Sequence, residues 1–169
     1  MSFCPQCGKP LEQVVRDGKD RMVCVDAQDC GYVFWNNPTP VVGAIVEHEG
    51  EVLLARNAAW PEGWFAIITG FLEAGESPAD AALREVKEEL DLDGEVVELV
   101  GVYDFFRMNQ VIIVYHVRAT GKVTLSEELI DYKKLPAENV KPWASGTGQA
   151  VKDWLAKRGI FNEEVSFRR

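Results

Sequence analysis

The hydrophobic positions along the chain follow two different periods, and each period predicts a different kind of element. Short apolar runs, which predict strands, occur at 41–46, 52–55, 65–69, 96–102 and 111–117. Between the first two runs, Glu49 and Gly50 predict a hairpin turn. The last run has five aliphatic residues in seven, which is typical of a central strand.

Two further segments show the 3.6-residue period of an amphipathic helix. The first begins after Ser77, which can act as N-cap, while Pro78 suits the first helical position and Asp80 completes a capping box. The second covers about 148–158 and has Gly159 as its stop. Strands and helices that do not alternate regularly predict an α+β fold or an α/β/α sandwich rather than a doubly wound sheet.

All four cysteines lie near the start of the chain, at Cys4, Cys7, Cys24 and Cys30. In a reducing compartment, a Cys-x-x-Cys-Gly pair predicts a zinc site before it predicts a disulfide. The second pair encloses five residues, where about two to four are usual, so the sequence leaves open whether it completes the site. Four thiolates leave zinc no open position, which favours a structural Zn²⁺ over a catalytic one.

The polar stretch between the two cysteine pairs could turn back as a hairpin, which is typical of a zinc ribbon. Two prolines within 36–40 then predict an extended linker. The sequence therefore predicts a small zinc-ribbon unit at 1–36 and one main domain at 37–169.

Composition and charge argue against several classes of function. No apolar run reaches the roughly 18 residues of a membrane span, and the start shows no signal peptide, so we expect a cytoplasmic protein without a membrane partner. The formal net charge of −9 argues against a nucleic-acid partner, because such surfaces need clustered Lys and Arg. If the ligand is a phosphate compound, a divalent cation is the simplest way to offset the repulsion.

Three carboxylates fall on one side of the first predicted helix. Glu85, Glu88 and Glu89 lie within an arc of roughly 100°, beside an apolar arc that can be buried. Like charges at these spacings repel, and a hard cation such as Mg²⁺ would convert the repulsion into coordination. The helix alone would equally suit a solvated acidic face.

The residues around this helix form a longer pattern, G-x5-E-x7-R-E-U-x-E-E-x-G-U with U aliphatic, which begins at Gly70. This stretch resembles the Nudix box, and every fixed position matches except the last glycine, which is Asp91. Because Asp tolerates the left-handed conformation that ends such a helix, we expect a modest local cost and no loss of chemistry. The resemblance implies a Nudix α/β/α sandwich with a mixed sheet, an α+β domain.

The resemblance also implies roles for individual residues. Glu85, Glu88 and Glu89 would be catalytic and would bind Mg²⁺ or Mn²⁺. The backbone of Gly70 would complete the metal shell or let phosphates approach closely, and Glu76 would form an ion pair with Arg84 that orients the loop against the helix.

The implied reaction is attack of water on one phosphorus of a P–O–P link. In this family the general base is sometimes a glutamate of the box and sometimes a carboxylate from a later loop, which makes Glu128 and its neighbour Glu127 candidates. A solvated turn is the alternative interpretation of this pair.

The substrate is less well defined by the sequence. The layout resembles NADH pyrophosphatases, but these carry a Ser-Gln-Pro-Trp-Pro-Phe-Pro segment that 102–110 lacks. The segments 37–43 and 47–54 are similar to Nudix enzymes that act on ADP-ribose or FAD. Phe105, together with its aromatic neighbours, could stack on a purine, and Arg107 could contact a phosphate. A core position for at least one of these aromatics is the alternative.

The expected function is therefore Mg²⁺-dependent hydrolysis of the pyrophosphate in a nucleotide-derivative substrate, with ADP-ribose or FAD favoured over NADH. Two alternatives remain: a non-catalytic nucleotide-binding regulator with the Nudix fold, and a zinc-ribbon interaction module. The complete carboxylate set favours the enzyme. Members of the family are often homodimers, so a homodimer is possible, but the oligomeric state cannot be read from the sequence.

Overall fold

The computed structural model describes residues 1–165 and divides the chain into two compact units, Met1–Pro38 and the part from Thr39 onward. The first unit is a three-stranded antiparallel sheet in the order β1 (Leu11–Arg16), β2 (Lys19–Cys24) and β3 (Val33–Phe34). Asp17 and Gly18, both at positive φ, turn β1 into β2. The predicted hairpin between the cysteine pairs is therefore present.

The second unit is built on a six-stranded mixed sheet. Its strands are β4 (Thr39–His48), β5 (Glu51–Asn57), β6 (Ile68–Phe71), β7 (Asp93–Phe105), β8 (Gln110–Thr120) and β9 (Leu129–Leu135). The strand order is β7-β8-β4-β5-β9, with β6 paired to β4. β4 and β8 run parallel over their whole lengths, and the other pairings are antiparallel.

Two helices cover opposite faces of this sheet, α1 (Pro78–Leu90) and α2 (Gly148–Ala156). Alternate residues of β4 point to opposite faces, as the pleat requires. Val41 and Ile45 join the cluster that contains α2, and Ala44 and Val46 join the cluster that contains α1. The expected α+β sandwich with a mixed sheet is confirmed. No helix within residues 1–165 is long and apolar enough to cross a membrane.

The first helix begins and ends where the sequence predicts. The Asp80 backbone N–H donates to Ser77 Oγ at 3.2 Å, and the Ser77 hydroxyl donates to the Asp80 carboxylate at 2.7 Å. The short Asp side chain thus accepts from the serine hydroxyl, whereas the glutamate of a full capping box reaches the N-cap backbone N–H. At the other end Asp91 adopts the left-handed conformation, with φ 55° and ψ 29°.

Three elements differ from the prediction. The run at 65–69 contributes only its end to β6, because the chain before Ile68 forms a loop bridged at Ala66. The last helix ends at Ala156, since the following residues tighten into a turn in which Gly159 N–H donates to Ala156 O. β9 was not predicted, because an edge strand with much exposed surface carries no continuous apolar run.

Candidate active site

The carboxylate of Glu85 lies directly on the backbone of Gly70, where β6 meets α1. A Cβ at Gly70 would be 1.8 Å from Glu85 Cδ and 2.0 Å from Oε1, so no other residue fits without moving the carboxylate. The glycine is needed here for close approach, and its φ is unexceptional. The first glycine of the box and the first glutamate of the helix therefore form one packed unit.

Arg84 connects three carboxylates of the box. It donates two hydrogen bonds to Glu76, at 3.0 and 2.8 Å, so the expected ion pair is present. Its Nη1 also donates to Glu85 at 2.7 Å and to Glu88 at 2.9 Å, and its Nη2 donates to Phe71 O at 3.0 Å. Hydrogen bonds from Arg84 lower the pKa of the Glu76 carboxyl. One guanidinium thus holds the loop and positions two carboxylates of α1.

Glu89 is the most strongly perturbed acid of the cluster. Burial raises the pKa of its carboxyl to about 8. The negative charges of Glu85, Glu128 and Glu88 act in the same direction. Burial also raises the pKa of Glu85, against the opposing effect of Arg84. Carboxylates that repel one another in this way have the chemistry of ligands for a hard divalent cation.

Glu128 is brought to this cluster by the segment that follows β8. The backbone N–H groups of Thr124 and Ser126 donate to the carbonyls of Leu90 and Glu89, at 2.9 and 3.0 Å. These bonds anchor the segment on the last turn of α1, and the charge of Glu128 acts on Glu89 from there. Its neighbour Glu127 is exposed to solvent.

An aromatic cavity of about 270 Å³ opens next to the box. Thr69 lines it one residue before Gly70, and Phe105 lines it from the end of β7. Four further aromatic side chains complete the wall: Trp60, Trp64, Phe65 and Trp143. The volume and the aromatic lining suit a planar heterocycle. We call this space the aromatic cavity.

The neighbours of Phe105 lie elsewhere. Tyr103 packs in the core, and its hydroxyl donates to Asp153 at 3.0 Å. Phe106 is 85% exposed. Arg107 is also exposed, in the turn Phe106–Met108, and does not line the aromatic cavity. The structure therefore brings Phe105 to the cavity and leaves Arg107 outside it.

Sequence reasoning missed several residues of this region. Trp60 and Trp64 lie in a loop whose sequence has no hydrophobic periodicity. The feature that could have identified them is the presence of two tryptophans among polar and turn residues. Arg56, at the end of β5, was also missed. It is half-buried, and its Nε has no hydrogen-bond partner among residues 1–165. A cation at the end of an apolar strand was the signal that could have identified it.

The four thiols of the first unit converge on one point. Their sulfur atoms all lie within 4.8 Å of one another, with Cys4 to Cys30 at 3.6 Å and Cys7 to Cys24 at 3.5 Å. A tetrahedral Zn–S₄ site has sulfur separations of about 3.8 Å, so the donor set fits Zn²⁺.

The long spacing of the second cysteine pair is taken up by a local turn. Asp26 O accepts the backbone N–H groups of Cys30 and Gly31, and its carboxylate accepts that of Asp29 at 3.2 Å. The turn brings the Cys30 sulfur back beside that of Cys4. The five intervening residues therefore do not prevent a four-thiol site.

Two known families match the chain, one for each of its two units. The family described as NUDIX domain matches residues 37–154, and the family described as Nudix N-terminal matches residues 2–36. The NAD-capped RNA hydrolase NudC of Pseudomonas fluorescens strain Pf-5 is 28% identical over 126 residues, which are 75% of this chain and 44% of that protein. The chain spans about half the length of the curated relatives it matches.

Solved structures show the same fold. A NUDIX hydrolase from Nitrosomonas europaea superposes with a TM-score of 0.76 at 24% identity, covering 98% of both chains. An ADP-ribose pyrophosphatase from Streptococcus suis superposes with a TM-score of 0.60 at 20% identity, covering 78% of this chain and all of that one.

Proposed function

The chain belongs to the NUDIX family, and we propose that it hydrolyses the pyrophosphate bond of a nucleoside diphosphate linked to another moiety. The observation that carries this proposal is the pair of half-buried carboxylates, Glu85 and Glu89, packed beside Gly70 and surrounded by further acids. A purely structural helix face would not keep such a group of like charges away from water.

The proposed cofactor is Mg²⁺ or Mn²⁺, held by Glu85, Glu88 and Glu89. A divalent ion there would offset the charge of the phosphates and lower the pKa of the attacking water. Arg84 already holds two of these carboxylates, so it is proposed as a positioning residue. Zn²⁺ on the four thiols is proposed as a structural ion.

Glu128 is the proposed general base. It lies close enough to Glu89 for its charge to raise the pKa of that group, and its segment is anchored on the last turn of α1. A carboxylate from a separate loop can accept the proton of the attacking water while the glutamates of α1 remain metal ligands. Glu127 is the natural comparison, because it is adjacent, chemically identical and equally exposed, whereas the charges that raise the pKa of Glu89 include that of Glu128 and not that of Glu127.

The aromatic cavity is the proposed site for the base of the substrate. Phe105 and the tryptophans around it would stack on a planar ring. Thr69 and Gly70 are consecutive on β6, so a ligand in the cavity could extend its phosphates towards Glu85. Arg56, with an unpartnered Nε, is a proposed phosphate contact. Arg107, which the sequence suggested as a phosphate contact, is exposed and does not line the aromatic cavity, so it is not part of this proposal.

Two substrate groups fit this site. The segments 37–43 and 47–54 favour ADP-ribose or FAD. The names of the curated relatives favour a second candidate, the pyrophosphate of NAD or NADH, including an NAD cap. Both groups contain a base, a ribose and a diphosphate bridge, so the same carboxylates would serve either.

One experiment tests the proposal and chooses between the groups. The protein is incubated with Mg²⁺ and each of ADP-ribose, FAD, NADH and a nucleoside triphosphate, and release of AMP or phosphate is measured. We expect AMP from at least one of the first three. The double variant Glu85→Gln/Glu89→Gln should lose metal affinity and turnover while keeping its circular-dichroism spectrum. Unchanged turnover in that variant would refute the assignment.

The base is tested by two neighbouring variants. Glu128→Gln should lower kcat by about 10²- to 10⁴-fold with little change in KM, as expected for loss of a general base. Glu127→Gln should retain the wild-type rate. Equal activity of the two variants would remove Glu128 from the mechanism.

A further inference from the structure

A second cavity, of about 330 Å³, adjoins the aromatic cavity. Phe65 and Trp143 line both spaces, so the two share a wall. The second cavity differs in chemistry, because Lys133, Asn139 and Lys141 contribute to its lining. We call it the lysine cavity.

The two lysines bring positive charge to the lysine cavity, and no carboxylate among residues 1–165 forms an ion pair with either of them. Neither forms a salt bridge with a carboxylate of the described chain, although the adjacent Lys134 pairs with Glu49. Lys141 is exposed, whereas Lys133 is half-buried with its Nζ 4.5 Å from the centre of the Phe65 ring. In a chain of net charge −9, two lysines in one cavity without a carboxylate partner in the described part of the chain are unexpected.

The surroundings of Lys133 disfavour its charge. Burial lowers the pKa of its ammonium group, and the Phe65 ring supplies only a weak cation–π contact in compensation. The cost of this desolvation is offset when an anion enters and pairs with the ammonium group. The environment of Lys133 is therefore better suited to a lysine paired with a bound anion than to a lysine without one.

We propose that the lysine cavity binds a phosphate group. Two lysines supply a charge that matches a phosphate monoester, which carries about −1.5 to −2 at pH 7. The Asn139 side chain offers a further hydrogen-bond donor. The inference rests on the proposed function in one respect: with a base in the aromatic cavity, the phosphate would be an additional one on the substrate, separate from the diphosphate that is cleaved.

Binding is tested first without catalysis. Inorganic phosphate is titrated into the full chain in the presence of a chelator of divalent ions, and the shift in Tm and the heat of binding are recorded. We expect saturable binding that the double variant Lys133→Gln/Lys141→Gln weakens about 10- to 100-fold, as expected for lost contacts to a charged group. Lys122→Gln removes one exposed charge outside the cavity and should bind as the wild type. Equal binding by the wild type and the double variant would overturn the proposal.

A second arm identifies the source of the phosphate. NADPH is compared with NADH, and 2′-phospho-ADP-ribose with ADP-ribose, by kcat/KM for the wild type and the double variant. A substrate-borne phosphate predicts that the double variant loses about 10- to 100-fold on the phosphorylated member of each pair only. Binding of inorganic phosphate with no such selective loss would place a free phosphate in the cavity and overturn the substrate role.

Failure of the proposed function and failure of the phosphate site would give different experimental results. If none of these substrates is hydrolysed, the proposed pyrophosphatase function fails, and the chelator titration still decides whether the lysine cavity binds phosphate. If hydrolysis is normal but the titration shows no dependence on the two lysines, the function stands and the cavity proposal fails.

Discussion

Replacing Glu89 with glutamine should make the metal-free protein more stable at neutral and alkaline pH while abolishing activity. The side chain is half-buried on α1, and its pKa is raised from 4.5 to about 8 by burial and by the neighbouring acids. Between these values the folded protein retains a proton that the unfolded chain has lost. The contribution of Glu89 to the stability of the wild type is therefore fully present below about pH 4.5 and is lost as the pH rises through about 8.

The size of the effect follows from the shift. Ionising a carboxyl whose pKa rises from 4.5 to about 8 costs about 5 kcal/mol, and solvent screening at a half-buried site reduces this to about 2–3 kcal/mol. Glu89→Gln has no ionisable group at this position. The gain in its free energy of unfolding over the wild type should therefore be near zero at pH 4.5 and complete above pH 8. In a domain of this size the full effect corresponds to about 4–12 °C in Tm.

Thermal unfolding between pH 4.5 and 9, in the presence of a chelator, measures this difference. Glu127→Gln is the matched control, because it removes an exposed carboxylate, and it should follow the wild-type curve. Adding Mg²⁺ should restore stability to the wild type and much less to Glu89→Gln. Parallel curves for the wild type and Glu89→Gln over the whole range would refute the reasoning.

Three further changes test other parts of the structure. Gly70→Ala places a Cβ within 1.8 Å of the Glu85 carboxyl, so kcat should fall by about 10²-fold or more while the circular-dichroism spectrum is retained; normal kcat would contradict the packing. Cys24→Ser removes one of four converging thiols, and bound zinc measured by mass spectrometry should fall from one ion per chain to almost none; full zinc content would exclude the four-thiol site. Phe105→Ala should raise KM about 5- to 100-fold through lost stacking, and Phe106→Ala, at an 85% exposed position, should not; similar KM values would separate Phe105 from base binding.

The elements that could be predicted are those specified by neighbouring residues. The start of α1 depends on Ser77, Pro78 and Asp80, which lie within one helical turn. Its end depends on Asp91, whose left-handed conformation the box pattern anticipates. Buried strands such as β8 can be predicted from their continuous apolar runs, because both of their faces are covered.

The parts that could not be predicted depend on distant segments. The aromatic cavity combines residues from the 60–69 region, β7 and the approach to α2, and no local pattern relates Trp64 to Phe105 or Trp143. The lysine cavity is similar, since Lys133 belongs to an edge strand whose polar pattern hides it. Glu127 and Glu128 could not be told apart, because the difference between them, the charge of Glu128 acting on Glu89, arises only when their segment is anchored on α1.

The parallel pairing of β4 with β8 imposes an order on biosynthesis. Each residue of β4 meets a partner about seventy positions further along the chain, and α1 lies inside that interval. During translation the carboxylate helix leaves the ribosome before the strand that completes its support exists. The apolar β4 stays uncovered on the side of β8 for the same period. A nascent chain that stops short of Gln110 therefore exposes an unpaired hydrophobic strand, which we expect to make it a substrate for chaperones and proteases.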